Sequence, residues 1–282
     1  MSEAIDLTGL VDVHIHTAPD TRPRYADDLQ VAREAAQAGM HAIMVKSHWT
    51  LTADRAAIAE GVLRAEGYGH TRVVGGLALN APVGWLNPAA VEVALAMGAR
   101  EVWMPTLDLA GPGRRRWPGG PVIWDENGAI KQVVHDILDL IIQADVTLGT
   151  GHLPPQETAA LVKLAHERGL RKILVTHPEA RFLRMSPALQ EELALEGVYF
   201  EHCYNDVMPV DGSPGVPLEE IAANIRRVGI EHGVLSSDYG QAGHPSPTEG
   251  LREYLARMLA LGFTWPELQR MAGENPAYLM GL

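Results

Sequence analysis

Short apolar runs rich in β-branched residues alternate along the chain with segments in which apolar residues recur at helical spacing. Most of the apolar runs are continuous, which is typical of parallel strands that are buried on both faces. The runs predict eight strands, which cover residues 10–16, 41–47, 72–79, 100–105, 145–151, 171–176, 197–202 and 232–237.

Helix-capping residues mark the segments between these strands. One predicted helix begins at Asn87 and Pro88 and is closed by Gly98. Eight strand–helix units over about 250 residues predict an α/β fold, a single-domain (β/α)8 TIM-type barrel over residues 1–282. The alternative, an open doubly wound sheet, would need a glycine-rich phosphate turn after the first strand, and residues 17–19 do not provide one. The other predicted helices run from Pro155 to Gly169, from Pro187 to Gly197, and over 27–38, 53–66, 131–143, 217–228 and 248–261.

Two connections are longer than the others. Residues 107–130 follow the fourth strand and residues 203–216 follow the seventh. Both leave from C-terminal strand ends, so both are candidate walls or lids of an active site. The first contains three arginines at 114–116 and Trp117, and its last part, 122–130, is predicted to form a hairpin that turns at Asn127 and Gly128.

Composition narrows the classes of partner. Of the 282 residues 46% are hydrophobic, which is ample for a core, and the net charge of −12 argues against binding to nucleic-acid phosphates. The single cysteine, Cys203, excludes a disulfide framework. The N-terminus lacks a leader pattern and no apolar run is as long as a membrane span. We therefore expect a cytoplasmic protein that acts on a small molecule, with homo-oligomer formation left open.

The first strand carries the strongest chemical signal. Its sequence, VDVHIH at residues 11–16, alternates so that His14 and His16 share one face with Asp12, while Val13 and Ile15 lie on the other. Two histidines at this spacing on a strand lie near enough to bind one metal ion. The strand ends just beyond them, at the C-terminal rim where a barrel of this kind builds its active site.

Other histidines and one aspartate follow the same rule. Each lies at or just after the C-terminal end of a predicted strand, and imidazole with carboxylate suits zinc or a similar divalent ion. By contrast, five histidines lie within helices or at the starts of strands, and we expect them to be structural or solvent-facing: His41, His70, His135, His166 and His232. The strand-end residues are His48, His152, His177, His202 and Asp238.

These strand-end residues resemble the metal ligands of the amidohydrolase superfamily of metal-dependent hydrolases. The resemblance rests on His14 and His16, His152, His177 and Asp238 at strands one, five, six and eight, and on an NPA helix at 275–277, so it spans nearly the whole chain. More closely, the chain is similar to an uncharacterised amidohydrolase-like group in the stretches DVHIH at 12–16, VKSH at 45–48, VWMPT at 102–106 and SDYGQ at 237–241.

The resemblance implies a hydrolase that uses a metal-activated water on a small amide, imide, lactone or ester. His14, His16 and either His152 or His177 would hold the ion, with Asp238 as a ligand or as the base that moves the proton of the water to the leaving group. The histidine that does not bind the ion would polarise the carbonyl oxygen. Zinc is the expected ion and manganese the alternative, because the ligands are nitrogen and oxygen without thiolate.

The fourth strand departs from the superfamily pattern. Binuclear members bridge two metals with a carboxylated lysine or a glutamate from this strand, but here it has no lysine and Glu101 lies at its start. One ion per chain is therefore favoured, and two are expected only if Lys46 on strand two is carboxylated. Lys46 shares a strand face with Met44, and it enters the barrel mouth if that face turns inward. As an ammonium it would bind a substrate carboxylate or stabilise an oxyanion, which makes it a catalytic candidate.

Further strand-end residues are candidate substrate contacts. Glu201 and His202 are neighbours on strand seven, so only one of them points inward, and periodicity does not decide which. Trp49, Trp103 and Trp117 could stack on a planar substrate. The predicted substrate contacts are His48, Asn80, Trp103, Thr106, Arg181, Glu201, His202 and Gln241.

Two other functions compete with hydrolysis. A metal-dependent decarboxylase of a small carboxylic acid would use the same ligands and would need a cation for a second acid group, for which residues 114–116 and Arg181 are candidates. A catalytically silent metal-binding scaffold is disfavoured because candidate ligands are intact at four strand ends. Metal content and a mixed substrate panel separate the three.

Overall fold

A barrel of eight parallel strands forms the centre of the protein in a computed structural model, which describes residues 5–107, 123–209, 212 and 214–282. The strands follow one another around the sheet in chain order. Ile15 forms a bridge with Tyr239, just beyond the last strand, so the two edges of the sheet meet and the predicted (β/α)8 fold is confirmed. The strands are β1 (Val11–His16), β2 (Ala42–Lys46), β3 (Arg72–Ala78), β4 (Glu101–Trp103), β5 (Thr147–Gly149), β6 (Ile173–Thr176), β7 (Tyr199–Cys203) and β8 (Gly233–Ser236).

A helix follows each strand, close to its predicted bounds. The predicted cap at Asn87 is present, because its side chain accepts a hydrogen bond from the backbone N–H of Ala90 at 3.3 Å. Ser186 caps the sixth helix in the same way. The helices are α1 (Asp28–Gln37), α2 (Ala53–Ala65), α3 (Pro88–Ala96), α4 (Gln132–Ala144), α5 (Pro155–Glu167), α6 (Pro187–Ala194), α7 (Leu218–Val228), α8 (Pro247–Ala260), α9 (Trp265–Gln269) and α10 (Asn275–Met280).

Strand β1 is less regular than its sequence pattern predicts. Val13 packs in the barrel interior, whereas Ile15 packs in the outer core beneath the helices. The register with β2 shifts between Asp12 and Ile15, as it does at a β-bulge. Asp12 Oδ1 accepts the backbone N–H groups of His14 at 3.2 Å and of Ser237 at 3.1 Å, so it ties the irregular part of β1 to the end of β8. The expectation that Val13 and Ile15 share a face is wrong because of this bulge.

Trp103 fills the centre of the barrel. A Cβ atom on Gly76 of β3 would lie 2.6 Å from its ring, and one on Gly149 of β5 would lie 2.4 Å from it, so both strands need glycine there. Leu279 of α10 belongs to the same interior cluster, and its carbonyl accepts a hydrogen bond from Thr147 Oγ1 at the start of β5. The C-terminal helix thus closes the N-terminal end of the barrel.

The two long connections lie only partly within the described residues. Residues 114–116, Trp117 and the first residue of the predicted hairpin fall outside them. The rest of that hairpin is present, since Trp124 and Ile130 form an antiparallel bridge and Gly128 has a φ of 79°. Across the described part of the chain, no helix is long and apolar enough to cross a membrane.

Candidate metal centre

Three buried side chains converge at the C-terminal mouth of the barrel. His14 and His16 come from β1, and Asp238 lies two residues after β8. Asp238 Oδ1 is 3.1 Å from the Nε2 atoms of both histidines. The three ligand atoms lie within 4.8 Å of one another, which is the arrangement that a divalent cation needs.

The second ring nitrogen of His14 shows which nitrogen is free for a metal. Nδ1 of His14 is 2.9 Å from Glu201 Oε1. Burial alone would raise the pKa of Glu201, but His14 and Lys46 lower it to about 2, so Glu201 is ionised and can only accept. Nδ1 of His14 therefore carries a proton and donates it, which leaves Nε2 as the ring nitrogen that can present a lone pair to a metal.

The same reasoning applies to His16. Its Nδ1 is 3.1 Å from the carbonyl oxygen of Lys46, which can only accept, so Nδ1 carries the proton. Burial lowers the pKa of His16 to about 4 despite the neighbouring Asp238, so the ring is neutral and its Nε2 presents a lone pair.

The close approach of these three side chains is explained by a positive charge between them. With Nδ1 protonated on both rings, the Nε2 atoms of His14 and His16 face one carboxylate oxygen at 3.1 Å, and a positive charge, either a proton or a metal ion, is needed to hold these three atoms together. His14 Nε2 is buried and has no hydrogen-bond partner among the described residues. The residues therefore fit a divalent metal ion held by His14, His16 and Asp238.

A second group of potential ligands is less suitable. His14, His177 and Cys203 also bring ligand atoms within 4.8 Å of one another. However, burial raises the pKa of the Cys203 thiol well above its ordinary value, and only the thiolate is a good ligand. The His14, His16 and Asp238 set is the better metal site of the two.

Two of the residues at the mouth have an unusual backbone. His177 has a φ of 56° and Asp238 a φ of 51°, in the left-handed region that non-glycine residues rarely adopt. Each such residue costs about 1–3 kcal/mol, and such strain occurs mainly where a site requires it. His177 directly follows β6 and Asp238 lies two residues after β8, so these left-handed residues direct their side chains to the mouth.

His177 lies between two carboxylates. Its Nδ1 is 2.9 Å from Asp206 Oδ2 and its Nε2 is 3.8 Å from Asp238 Oδ2. Burial alone would lower the pKa of His177, but Asp206 and Asp238 raise it to about 9, so the ring is cationic at neutral pH. Asp238 Oδ2 also accepts a hydrogen bond from Asn205 Nδ2 at 3.1 Å. The two oxygens of Asp238 thus face different neighbours.

His152 packs against His177 and Phe182. The ring centroids of the two histidines are 5.3 Å apart, and Phe182 lies 4.7 Å from the ring of His152. His152 Nε2 is buried without a hydrogen-bond partner among the described residues. Burial lowers the pKa of His152 well below its ordinary value, so it is neutral and can offer a lone pair.

Lys46 enters the barrel beneath the histidines. Its side chain is 1% exposed, and its Nζ lies 5.0 Å from the centre of the Trp103 ring, a cation–π contact. Nζ has no hydrogen-bond partner among the described residues. Two acids lie within electrostatic range of it, Glu201 and the buried Glu101. Burial raises the pKa of Glu101 well above its ordinary value, so Glu201 is the charge that Lys46 compensates.

Replacing Lys46 with Met should lower the free energy of unfolding by about 1–3 kcal/mol, because it removes a buried cation that helps to stabilise the ionised Glu201 in the barrel interior. Urea denaturation measures the change. Lys163→Met, at an exposed position on α5, is the matched control and should change the stability by less than about 0.5 kcal/mol. Equal stabilities of the two variants would show that Lys46 compensates no buried charge.

Several predicted substrate contacts are engaged elsewhere. The amide of Asn80 is fully hydrogen-bonded to backbone groups and to Thr106, and both residues are 1% exposed. Arg181 is exposed and donates to the carbonyl of Gly215 at 3.0 Å. Gln241 donates to the carbonyl of Asp238 at 2.8 Å.

Strand β7 resolves the choice between Glu201 and His202. Glu201 points inward to His14, whereas His202 points outward, where its Nδ1 lies 2.9 Å from Glu179 Oε2. His202 shares the outward parity of Phe200, which packs beneath the helices. His202 therefore points away from the mouth, where a substrate contact was expected of it, and Glu201 contacts the metal-site residue His14.

Asp206 and Asn205 are the site residues that sequence reasoning missed. Both lie in the 3₁₀ turn Tyr204–Val207, at the start of the long connection after β7. The position of that loop at a C-terminal strand end was a usable signal, but its several polar residues gave no reason to prefer these two. Only the fold brings Asp206 to His177.

Comparison with known proteins places the chain in a family. The model of a family of unknown function, DUF6282, matches residues 9–201. No curated protein matches the sequence.

Solved structures share the fold over almost the whole chain. An amidohydrolase from Pseudomonas aeruginosa is 11% identical with a TM-score of 0.64, covering 96% of this chain and 95% of that one. A probable 2-pyrone-4,6-dicarboxylic acid hydrolase from Acinetobacter baumannii, with citric acid bound, is 14% identical with a TM-score of 0.62, covering 98% and 100%. A 2,6-dihydroxybenzoate decarboxylase, in complex with 2,6-dihydroxybenzoate, is 14% identical with a TM-score of 0.59, covering 98% and 100%. The resemblance predicted from the strand-end residues is thus confirmed at the level of the fold.

Proposed function

The chain belongs to the DUF6282 family of unknown function, and we propose that it is a metal-dependent hydrolase of small molecules that contain an amide, imide, lactone or ester carbonyl. The observation that carries the proposal is the convergence of two imidazole nitrogens and a carboxylate oxygen, from His14, His16 and Asp238, at one buried point. An ion held there would supply Lewis-acid chemistry, lowering the pKa of water and polarising a carbonyl. Zinc suits these ligands best and manganese second.

The other two histidines at the mouth, His177 and His152, are suited to different roles. Carboxylates face both ring nitrogens of His177, so this residue is suited to hold a proton rather than to donate a lone pair. His152 offers a buried Nε2 with no hydrogen-bond partner among the described residues, so it is the better fourth ligand. On this ground we favour His152 over His177 as the further histidine ligand.

Proton transfer falls to Asp238 and His177. Asp238 Oδ1 faces the two ligand histidines, whereas Oδ2 faces His177 and Asn205, so Oδ2 is the oxygen that can take a proton from the attacking water. His177, held cationic by Asp206, gives a proton to the leaving group, and the proton on Asp238 restores it across the 3.8 Å gap. Hydrolysis needs one base and one acid, and this pair provides both.

Decarboxylation of a small carboxylic acid is the second candidate function. It is favoured by the decarboxylase among the structural neighbours, and Arg181 would have to release the carbonyl of Gly215 to hold a second acid group. The same metal ligands would serve both reactions.

A substrate panel tests the proposal. Protein loaded with zinc or manganese should hydrolyse at least one member of a panel of esters, lactones, amides, imides and carboxylic acids, and chelator-treated protein should not. Release of carbon dioxide without hydrolysis would select the decarboxylase. Absence of both reactions in protein shown to carry metal would contradict the enzyme proposal.

A further inference from the structure

The histidine after β2 is not used by the mechanism above, yet its ring lies among the ligands. His48 is partly exposed and stacks on His16, with ring centroids 4.8 Å apart and planes at 30°. Its ring centroid is 6.1 Å from that of His152. His48 therefore borders the metal site without belonging to the group of converging ligand atoms.

A buried amide fixes the surroundings of His48. Asn80 Oδ1 accepts the backbone N–H groups of Thr106 at 2.8 Å and of Leu107 at 3.0 Å, which sets the orientation of the amide. Asn80 Nδ2 then donates to the carbonyl of His48 at 2.9 Å and to Thr106 Oγ1 at 2.7 Å. Every donor and acceptor site of Asn80 is satisfied.

This arrangement fixes the tautomer of His48. Thr106 Oγ1 already accepts from Asn80, and its own proton has one acceptor among the described residues, His48 Nδ1 at 2.8 Å. When Thr106 donates to Nδ1, a neutral His48 carries its proton on Nε2. That is the opposite of His14 and His16, whose Nδ1 atoms donate to oxygen acceptors and whose Nε2 atoms are the ones available to a metal. His48 is consequently set up as a donor and not as a metal ligand.

We propose that His48 is a catalytic residue whose Nε2–H donates a hydrogen bond to the carbonyl oxygen of the substrate as it becomes an oxyanion. Thr106 and Asn80 are positioning residues that hold the tautomer. Nε2 of His48 has no acceptor among the described residues. A hydrogen-bond donor placed in advance beside a buried metal site is the arrangement that stabilises developing negative charge. Such a donor favours substrates in which the attacked carbon carries a carbonyl oxygen that can accept a hydrogen bond. The role rests on the proposed hydrolase function, but the tautomer does not.

Nitrogen-15 NMR of histidine-labelled, metal-loaded protein measures the tautomer directly. The His48 signals, assigned by their loss in His48→Gln, should show a protonated Nε2 and an unprotonated Nδ1. Thr106→Val should remove this preference and Thr106→Ser should keep it. A protonated Nδ1 in the wild type would overturn the proposal, whatever the enzyme does.

Two further measurements test the donor role. Saturating acetate, as a probe of the carboxylate product class, should shift the Nε2–H signal of His48, and an unchanged signal would overturn the proposal even if the substrate panel finds no activity. On any substrate the panel yields, His48→Phe keeps a flat ring against His16 but should lower kcat about 10²–10³-fold with metal content unchanged. His48→Gln, which keeps an amide donor, should recover part of the loss. Wild-type kcat in metal-loaded His48→Phe would overturn the donor role while leaving the hydrolase function intact.

Discussion

Asp238→Asn should reduce kcat/KM about 10³-fold or more, because an amide can neither take the proton of the attacking water nor return it to His177. The asparagine is nearly the same size and keeps one oxygen that can face the histidines, so the fold should survive. Steady-state kinetics on any accepted substrate measures the loss. Turnover near the wild-type rate would remove Asp238 from the mechanism.

The same variant should have the opposite effect on the stability of the metal-free protein. In the wild type without metal, Asp238 Oδ1 faces the Nε2 atoms of His14 and His16 at 3.1 Å, and a neutral ring presents to it a lone pair that repels it. An asparagine amide turned toward them would replace that repulsion with a hydrogen bond, worth about 1 kcal/mol. Thermal unfolding of chelator-treated protein should therefore give a higher Tm for Asp238→Asn than for the wild type, and the order should reverse when metal is added. A lower Tm for the metal-free variant would show that the histidines do not present lone pairs to Asp238.

His14→Ala/His16→Ala should abolish activity, because it removes both nitrogen ligands from β1. Loss of two of the ligands that hold a catalytic ion leaves the Lewis-acid chemistry without a site. The barrel should still fold, since both side chains lie at the mouth and Trp103 fills the interior. The matched control, His70→Ala/His166→Ala, removes two histidines far from the mouth and should keep full activity. Equal activities of the two double variants would contradict the site.

The fold was predictable because each strand and helix carries its own local signal. Continuous apolar runs, proline at first turns and glycine at helix ends locate the elements without any long-range information. The order of β and α elements then leaves few topologies. The strands also define the strand ends, and in a barrel these lie on one rim. The sequence therefore predicted that His14, His177 and Asp238 lie close together.

What could not be predicted depends on local irregularity and on loops. The bulge in β1 changes which residues face inward, and periodicity assumes that no such irregularity exists. On β7 the neighbours Glu201 and His202 are both polar, so the alternation of the strand does not show which of them points inward. The contact of Glu201 with His14 shows that it is Glu201. The tautomer of His48 depends on Asn80 and Thr106, which follow other strands, β3 and β4, and are far away in the sequence.

Elemental analysis of the purified protein tests the central claim, that His14, His16 and Asp238 hold a metal ion. We expect about one divalent ion per chain in the wild type and in His70→Ala/His166→Ala, with little metal in His14→Ala/His16→Ala. Two ions per chain in the wild type would contradict the one-metal site and would point to a carboxylated Lys46 as a bridge. Equal metal in the wild type and in His14→Ala/His16→Ala would contradict the ligand assignment itself.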